Sequence, residues 1–380
     1  MSVRLHNITK VAEFLMNIDE KLAKVCEGFC INDTYLRHEL IQIGNVNKTY
    51  RVIVRLQDGN EKSFLVQNLN TYVFKKPVEV MDNIDKVTEH IRTKSPGKVA
   101  LHFHHTADRK TYIADGDDFW RMSNYIPSVT HNVVSDLDVV RNAGRAFGEF
   151  QMQLSDFDSA ALHVTIPDFH NTAKRYERLA ETVAADPVGK VSEVQEELEY
   201  LFSIREQACK LTALYEQGKL PLRVTHNDTK INNVLFAPDG VTPLVVVDLD
   251  TVMPGLVGHD FGDAIRFAAN FVEEDCPDLD KVGVNMDVFR AFVEGFLEMT
   301  IDTLTQEELD TLALSAFVLT VELAVRFLDD YIQGSPYFKI CYPEHNLVRT
   351  KCQIALAKDM AKNMSAMEKI VRDCAEALKK

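Results

Sequence analysis

Apolar positions recur at helical spacing near the start of the chain, where Phe14, Leu15, Ile18, Leu22 and Val25 predict a helix over residues 1 to about 30. The period then changes. Residues 36–56 are expected to form two strands around a turn at Gly44 to Lys48, and Phe64 to Leu69 a third. Val78 to Arg92 returns to helical spacing, while Lys98 to Thr106 and Thr111 to Tyr125 suit further strands. From Ser135 onward helical periodicity dominates, over 135–155, 169–185, 190–218, 260–271, 286–299, 305–332 and 344–379. One stretch of loop and strand, 223–251, interrupts it. The pattern predicts an α+β protein with a small strand-rich lobe at 1–124 and a larger helical lobe at 125–380. A ligand is expected in a cleft between the lobes.

Charge narrows the choice of partner. With 42 Lys and Arg against 57 Asp and Glu, the formal net charge is -15. No basic stripe is available to neutralise a phosphate backbone, which disfavours a nucleic-acid binder. A cationic small molecule remains compatible. The seven cysteines are odd in number and contain no CxxC pair, so buried thiols in a reducing compartment are expected. No basic flank leads into an apolar core at the N-terminus, and no run of about 18 apolar residues is evident. The expectation is a cytoplasmic protein with no signal peptide and no membrane partner.

The chemistry concentrates in His226-Asn227-Asp228-Thr229-Lys230-Ile231-Asn232-Asn233 and in the Asp248 that follows the β-branched run Leu244 to Val247. Asp228 and Asn233 stand five positions apart in one loop, the spacing of a phosphoryl-transfer site. Such a site needs a carboxylate to orient and deprotonate an attacking hydroxyl, and oxygen ligands for Mg²⁺ on the phosphates. Asp228 suits the base, and Asn233 with Asp248 suits the metal. Asp250 is the alternative ligand, because positions i and i+2 of a strand share a face. An ordinary turn is the plainer reading of the loop, since Asn and Asp favour turns. The strand after it favours the catalytic one. His226 is expected to brace the loop. Lys230 is either a catalytic contact to the transferred phosphate or an exposed loop lysine. Asp260-Phe261-Gly262 imitates the DFG sequence of protein kinases but follows a loop and precedes a helix. Asp260 and Asp263 are therefore expected as cap and first-turn acids. His102, His104 and His105 lack a third ligand at metal spacing and suit an edge strand. Trp120 is expected in the core.

Four stretches carry a resemblance to the aminoglycoside phosphotransferase and choline kinase superfamily, which shares the protein-kinase-like fold. They are Val224 to Phe236, Val247 to Gly255, Asp260 to Asp263, and Arg326-Phe-Leu together with Tyr337-Phe338 and His345-Asn-Leu347. Within the superfamily the chain most resembles bacterial N-acetylhexosamine 1-kinases. The resemblance implies an ATP- and Mg²⁺-dependent kinase acting on the anomeric hydroxyl of N-acetylglucosamine or N-acetylgalactosamine. It implies that Thr251, Arg326 and Tyr337 join Asp228 in contacting the sugar, and that Asp263 supports the catalytic loop. It implies a phosphate-covering loop at Gly44 to Tyr50, with Gly44, Asn47 and Thr49 against the nucleotide. That loop has one glycine, and a plain hairpin turn is its alternative. The hinge would fall at Met122 to Ile126, where backbone near Asn124 and Tyr125 meets adenine. Gln67 occupies the place of the expected third-strand lysine and supplies no charge, so an ion pair with Glu89 is not expected. Lys230 would partly compensate. Another sugar, an inositol, choline or an aminoglycoside is the alternative acceptor. A non-catalytic kinase-like binding module is the alternative function.

Overall fold

In the computed structural model, which describes residues 18–41, 46–132 and 136–379, the chain divides into two compact units between Pro127 and Ser128. Gly44 and the first part of the predicted N-terminal helix lie outside the described residues.

Among the described residues the first unit is a five-stranded antiparallel sheet with two helices. Helix α1 (Ile18–Gly28) precedes β1 (Thr34–Ile41), β2 (Lys48–Arg55) and β3 (Glu61–Asn68). After α2 (Pro77–Lys94) come β4 (Ile113–Asp115) and β5 (Asp118–Asn124), and the sheet order is β1-β2-β3-β5-β4. Alternation along β2 and β3 puts Val52, Val54, Phe64 and Val66 into one cluster with Leu22 of α1 and Trp120 of β5. Helix α2 starts with Pro77 in its first turn, where a missing N–H costs nothing, and buries Val80, Ile84 and Val87 along one stripe.

Two strand expectations here are corrected. Thr111–Tyr125 is a hairpin, turned at Gly116 with φ +59°. Lys98–Thr106 is not a strand. β4 already covers β5 from Asp118 to Trp120, so only the Met122–Asn124 edge remains. There the His104 N–H donates to the Met122 carbonyl and the Asn124 N–H to that of His102, leaving an isolated bridge at Phe103.

The second unit is mainly helical. It contains α3 (Leu137–Gln153), α4 (Thr172–Ala185), and three short helices α5 (Gln195–Ser203), α6 (Arg205–Ala208) and α7 (Lys210–Glu216). The pattern over 190–218 suggested one helix. The buried Tyr176 hydroxyl instead donates to the Leu201 carbonyl at 2.8 Å, the acceptor a continuous helix would offer to Arg205. Next come β6 (Arg223–Thr225), β7 (Val234–Phe236), β8 (Pro243–Val246) and β9 (Met253–Gly255), paired as β6–β9 and β7–β8. Helices α8 (Val257–Ala268), α9 (Met286–Thr300), α10 (Gln306–Ile332) and α11 (His345–Leu378) complete the unit.

Helices pack backbone to backbone where glycine permits. A Cβ on Gly295 of α9 would lie 1.9 Å from the Arg141 carbonyl oxygen of α3, and one on Gly262 of α8 would lie 2.4 Å from that of Ser315 on α10. Helix α10 opens on a reciprocal cap between Thr305 and Glu308. Arg223 of β6 binds both oxygens of Glu308 at 2.6 and 2.7 Å, which fixes the strand entering the loop at 226–233. By length and composition α10 is apolar enough to cross a membrane, contrary to expectation, yet 78% of its most apolar window is buried within the protein. That is the character of a core helix. Of the cysteines, Cys26, Cys352 and Cys374 are buried, whereas Cys30 and Cys341 are exposed, so the expectation of uniformly buried thiols fails.

Candidate active site

The loop from His226 to Asn233 is held from beneath by two acids of α8. Asp260 accepts the main-chain N–H groups of His226 at 2.9 Å and Asn227 at 2.7 Å, and the Gln151 amide of α3 at 2.6 Å. Burial pushes this carboxyl above the usual carboxylate range, and the N–H donors with His226 pull against it. Asp263 accepts the Thr229 N–H at 2.9 Å and the Arg266 guanidinium at 2.8 Å. Burial opposes ionisation there too, but Arg266 and Lys230 hold its carboxyl below the ordinary value. The cap-and-first-turn expectation for these acids is thus corrected. Helix α8 begins at Val257, so Asp260 is its first-turn acid rather than its cap, Asp263 lies one turn further on, and both turn toward the loop.

His226 is fully buried and braces the loop internally. Its Nε2–H donates to the Val247 carbonyl at 2.8 Å, and its Nδ1 accepts the Asp228 N–H at 3.2 Å. Asn227 is in the left-handed region at φ 65°, which sharpens the turn just before Asp228. The Asp228 Oδ1 pairs with Lys230 Nζ at 2.8 Å, while among the described residues Oδ2 has only a long 3.5 Å contact from Asn233. Burial depresses the Lys230 ammonium, but Asp228 and Asp263 outweigh it and raise it above the ordinary lysine value.

Asn233 donates through Nδ2 to the Asp228 carbonyl at 2.8 Å, and its own carbonyl accepts the Val247 N–H at 2.8 Å. These two bonds gather Asp228, Asn233 and the residue before Asp248 into one knot. With the amide nitrogen engaged, Asn233 Oδ1 is the atom left for a cation. Asp248 adds an exposed carboxylate, and a pair of protein oxygens is the usual share for Mg²⁺ bound mainly through phosphates. Asn232 does not share in this; its amide reaches Asn132 at 3.3 Å. Asp248 has φ 63° and Leu249–Thr251 is a 3₁₀ turn, so the strand-face reason for Asp250 as a ligand does not hold. Asp250 is buried at 3% exposure.

In the first unit the nucleotide candidates form a cross-strand row. Thr49 on β2 faces Gln67 on β3, and Gln67 faces Arg121 on β5. Gln67 donates to the Thr49 hydroxyl at 3.1 Å and accepts from Arg121 Nε at 2.9 Å. Arg121 was missed from sequence. The signal was a cation inside the apolar strand Phe119 to Met122, directly across from the uncharged Gln67. Glu89 pairs instead with Arg92 at 2.6 Å and His102 at 3.3 Å. The Asn47 side chain accepts the Asn70 N–H at 2.9 Å. Asn124 uses its side chain on His102 and Ala100 and its main-chain N–H on His102, so that amide is not available to a purine. Tyr125 stacks beneath the Arg51 guanidinium at 4.5 Å.

The acceptor candidates lie in the second unit. The Thr251 hydroxyl donates to the His226 carbonyl at 2.6 Å, which leaves it lone pairs for a ligand. Arg326 of α10 sits 5.5 Å from the rings of both Phe169 and Phe338 and makes no hydrogen bond among the described residues. Its neighbour Arg175 donates to the Phe169 carbonyl at 2.7 Å. Tyr337 is 67% exposed and is anchored through its N–H to Asp330 at 2.9 Å. A separate cavity of about 730 Å³ borders the loop at Ile231 and helix α8 at Arg266. Its wall includes Phe267, Glu273, Glu274 and Asp287 but none of the three acceptor candidates.

The chain is similar to a microcompartment-associated aminopropanol kinase, with 16% identity, 92% of this chain and 99% of that one covered, and a TM-score of 0.59. It is similar to a choline kinase from Cryptosporidium parvum, with 13% identity, 93% and 98% coverage, and a TM-score of 0.56. It is also similar to an amicoumacin kinase in complex with AMP-PNP and Ca²⁺, with 11% identity, 96% coverage of each, and a TM-score of 0.55. At such identities these likenesses show the fold alone, an α+β kinase-like fold with a small antiparallel sheet followed by helices. A model of the phosphotransferase enzyme family matches residues 42–288, about two thirds of the sequence, and the chain belongs to that family.

Proposed function

We propose that this phosphotransferase moves the terminal phosphoryl group of ATP to the anomeric hydroxyl of an N-acetylhexosamine, giving the sugar 1-phosphate and ADP. The observation that carries the reaction class is the knot joining Asp228, Asn233 and Val247, the residue before Asp248. Phosphoryl transfer is mostly positioning and charge stabilisation. Asp228 Oδ2 is the atom for the acceptor hydroxyl and takes its proton. An anomeric hydroxyl is more acidic than an ordinary alcohol, so a weak base suffices. Lys230 keeps Oδ1 engaged and lends positive charge to the transferring group. Asn233 and Asp248 would hold Mg²⁺, which when bound neutralises the phosphates. The row Thr49, Gln67 and Arg121 supplies donors and charge on the nucleotide side, in place of a third-strand lysine. Arg326, oriented between two rings with its donors unspent, suits the carbonyl and hydroxyls of an N-acetylated sugar.

A second reading is a cationic amino alcohol as acceptor. It is favoured by the acidic wall of the 730 Å³ cavity and by the net charge of -15. The solved aminopropanol and choline kinases are named for such acceptors. ADP release should be measured against a panel of N-acetylhexosamines, other sugars, inositol, choline and amino alcohols, with the product's phosphorylated carbon assigned by ³¹P-coupled NMR. Turnover with an N-acetylhexosamine at carbon 1 supports the first reading. Turnover confined to the cations selects the second, and acceptor-independent ADP release alone defeats both.

A further inference from the structure

The catalytic loop has a third anchor besides Asp260 and Asp263. His170, at the entrance to α4, has a 6% exposed side chain. Its Nδ1 lies 2.8 Å from Glu322 Oε1 on α10, and its Nε2 lies 3.2 Å from the Asn227 carbonyl oxygen. The second Glu322 oxygen accepts the Thr172 hydroxyl at 2.8 Å. Both ring nitrogens thus face acceptors. A neutral ring has a single N–H and would set a lone pair against one of those oxygens, whereas an imidazolium satisfies both. The peptide that His170 grips is the one that enters Asp228, and Asn227 holds the left-handed backbone there. Asp260 holds the N–H of Asn227 and His170 holds its C=O.

We propose that His170 is a positioning residue whose doubly protonated ring clamps the Asn227 carbonyl to Glu322 and so fixes Asp228 for phosphoryl transfer.

The surrounding charges are consistent with that state. Burial works against a charged His170, but Glu322 on α10 and Asp263 on α8 outweigh it and raise the ring above the ordinary histidine range. Burial likewise opposes ionisation of Glu322, yet His170, Arg326 and Arg175 bring its carboxyl down to about 2. His259 of α8, with its ring 5.0 Å from that of His170, is pushed down to about 3 by burial and by the His170 charge, so it stays neutral beside it. A raised histidine keeps its clamp complete at neutral pH and loses it as pH climbs through the elevated value. Turnover should therefore carry an alkaline limb set by His170. The kinetic effect rests on the phosphotransfer reading; the ring's charge does not.

The test has two arms on the full chain. Side-chain ¹H–¹⁵N spectra, with the His170 signals identified by their loss in His170→Gln, report the ring directly. At about pH 7, where a histidine of ordinary pKa near 6.5 is mostly neutral, both His170 nitrogens should carry protons; a neutral ring there overturns the proposal. In the second arm, His170→Gln should lower kcat by about ten- to a hundredfold and abolish the alkaline limb, with the KM for ATP little changed. Glu322→Gln should shift that limb to lower pH. An unaltered kcat and limb in both variants overturns the positioning role. If the unmodified chain phosphorylates nothing on the panel, the functional reading fails, while the ring spectrum still decides the clamp. If His170→Gln does not fold, the Glu322→Gln limb decides: a shift to lower pH supports the clamp and an unmoved limb overturns it.

Discussion

Asp260→Asn isolates the grip of α8 on the catalytic loop, because it keeps the shape and removes one acceptor. In the native chain one Asp260 oxygen takes the His226 N–H and the Gln151 amide, and the other takes the Asn227 N–H at 2.7 Å. An asparagine amide oxygen can replace one of these. Its NH₂ then meets at least one buried donor head on. A hydrogen bond to a charged group contributes about 1.5–3 kcal/mol, and a stranded buried donor costs about as much again. Relief of the buried carboxylate offsets part of that, since burial already disfavours its charge. The net loss should be about 3 kcal/mol. In a unit of this size that corresponds to a fall in unfolding midpoint of roughly 6–12 °C. Urea unfolding and ADP release should be followed on the same preparation. Reduced stability with turnover down at least tenfold is the expected pair, because the peptides released, those entering His226 and Asn227, set the turn just before Asp228. A variant with native unfolding and native turnover would refute the idea that this carboxylate shapes the loop.

Three further outcomes follow from the same geometry. Asp228→Asn should abolish phosphate transfer while ADP still binds by calorimetry, and near-native turnover would remove Asp228 from its role. Asp248→Ala should raise the Mg²⁺ concentration needed for half-maximal rate or kill the enzyme; an unchanged Mg²⁺ dependence would remove Asp248 from the metal site. Arg326→Ala should raise the acceptor KM by roughly ten- to a hundredfold, as loss of hydrogen bonds to a charged donor implies, and leave the KM for ATP alone. An equal rise in both would place Arg326 outside acceptor recognition.

What could be read from the sequence was local. Asp228 and Asn233 share a loop, so their relation lies in spacing alone. Strands β1 to β3 and the long helices α3, α9, α10 and α11 announce themselves by period. What stayed hidden depends on residues far apart in the chain. Asp260 looked like a helix-cap acid because its partners, His226 and Asn227, lie 34 and 33 positions away. The Tyr176 hydroxyl that breaks the 190–218 helix comes from α4, and no periodicity within 190–218 reports it. Arg121 answers Gln67 only once β3 and β5 are paired. His170 and Glu322 lie 152 positions apart and carried no motif.

The acids beneath the loop seize amides of the main chain, and nearly every amino acid has one. Asp260 and Asp263 hold the bend through main-chain N–H groups rather than through the side chains of the loop. Much of the template for the curve therefore lies in α8, outside the loop, with the side chains of His226 and Asn233 adding ties of their own. Engineering a new acceptor preference is best begun at Thr251, Arg326 and Tyr337, with α8 left untouched.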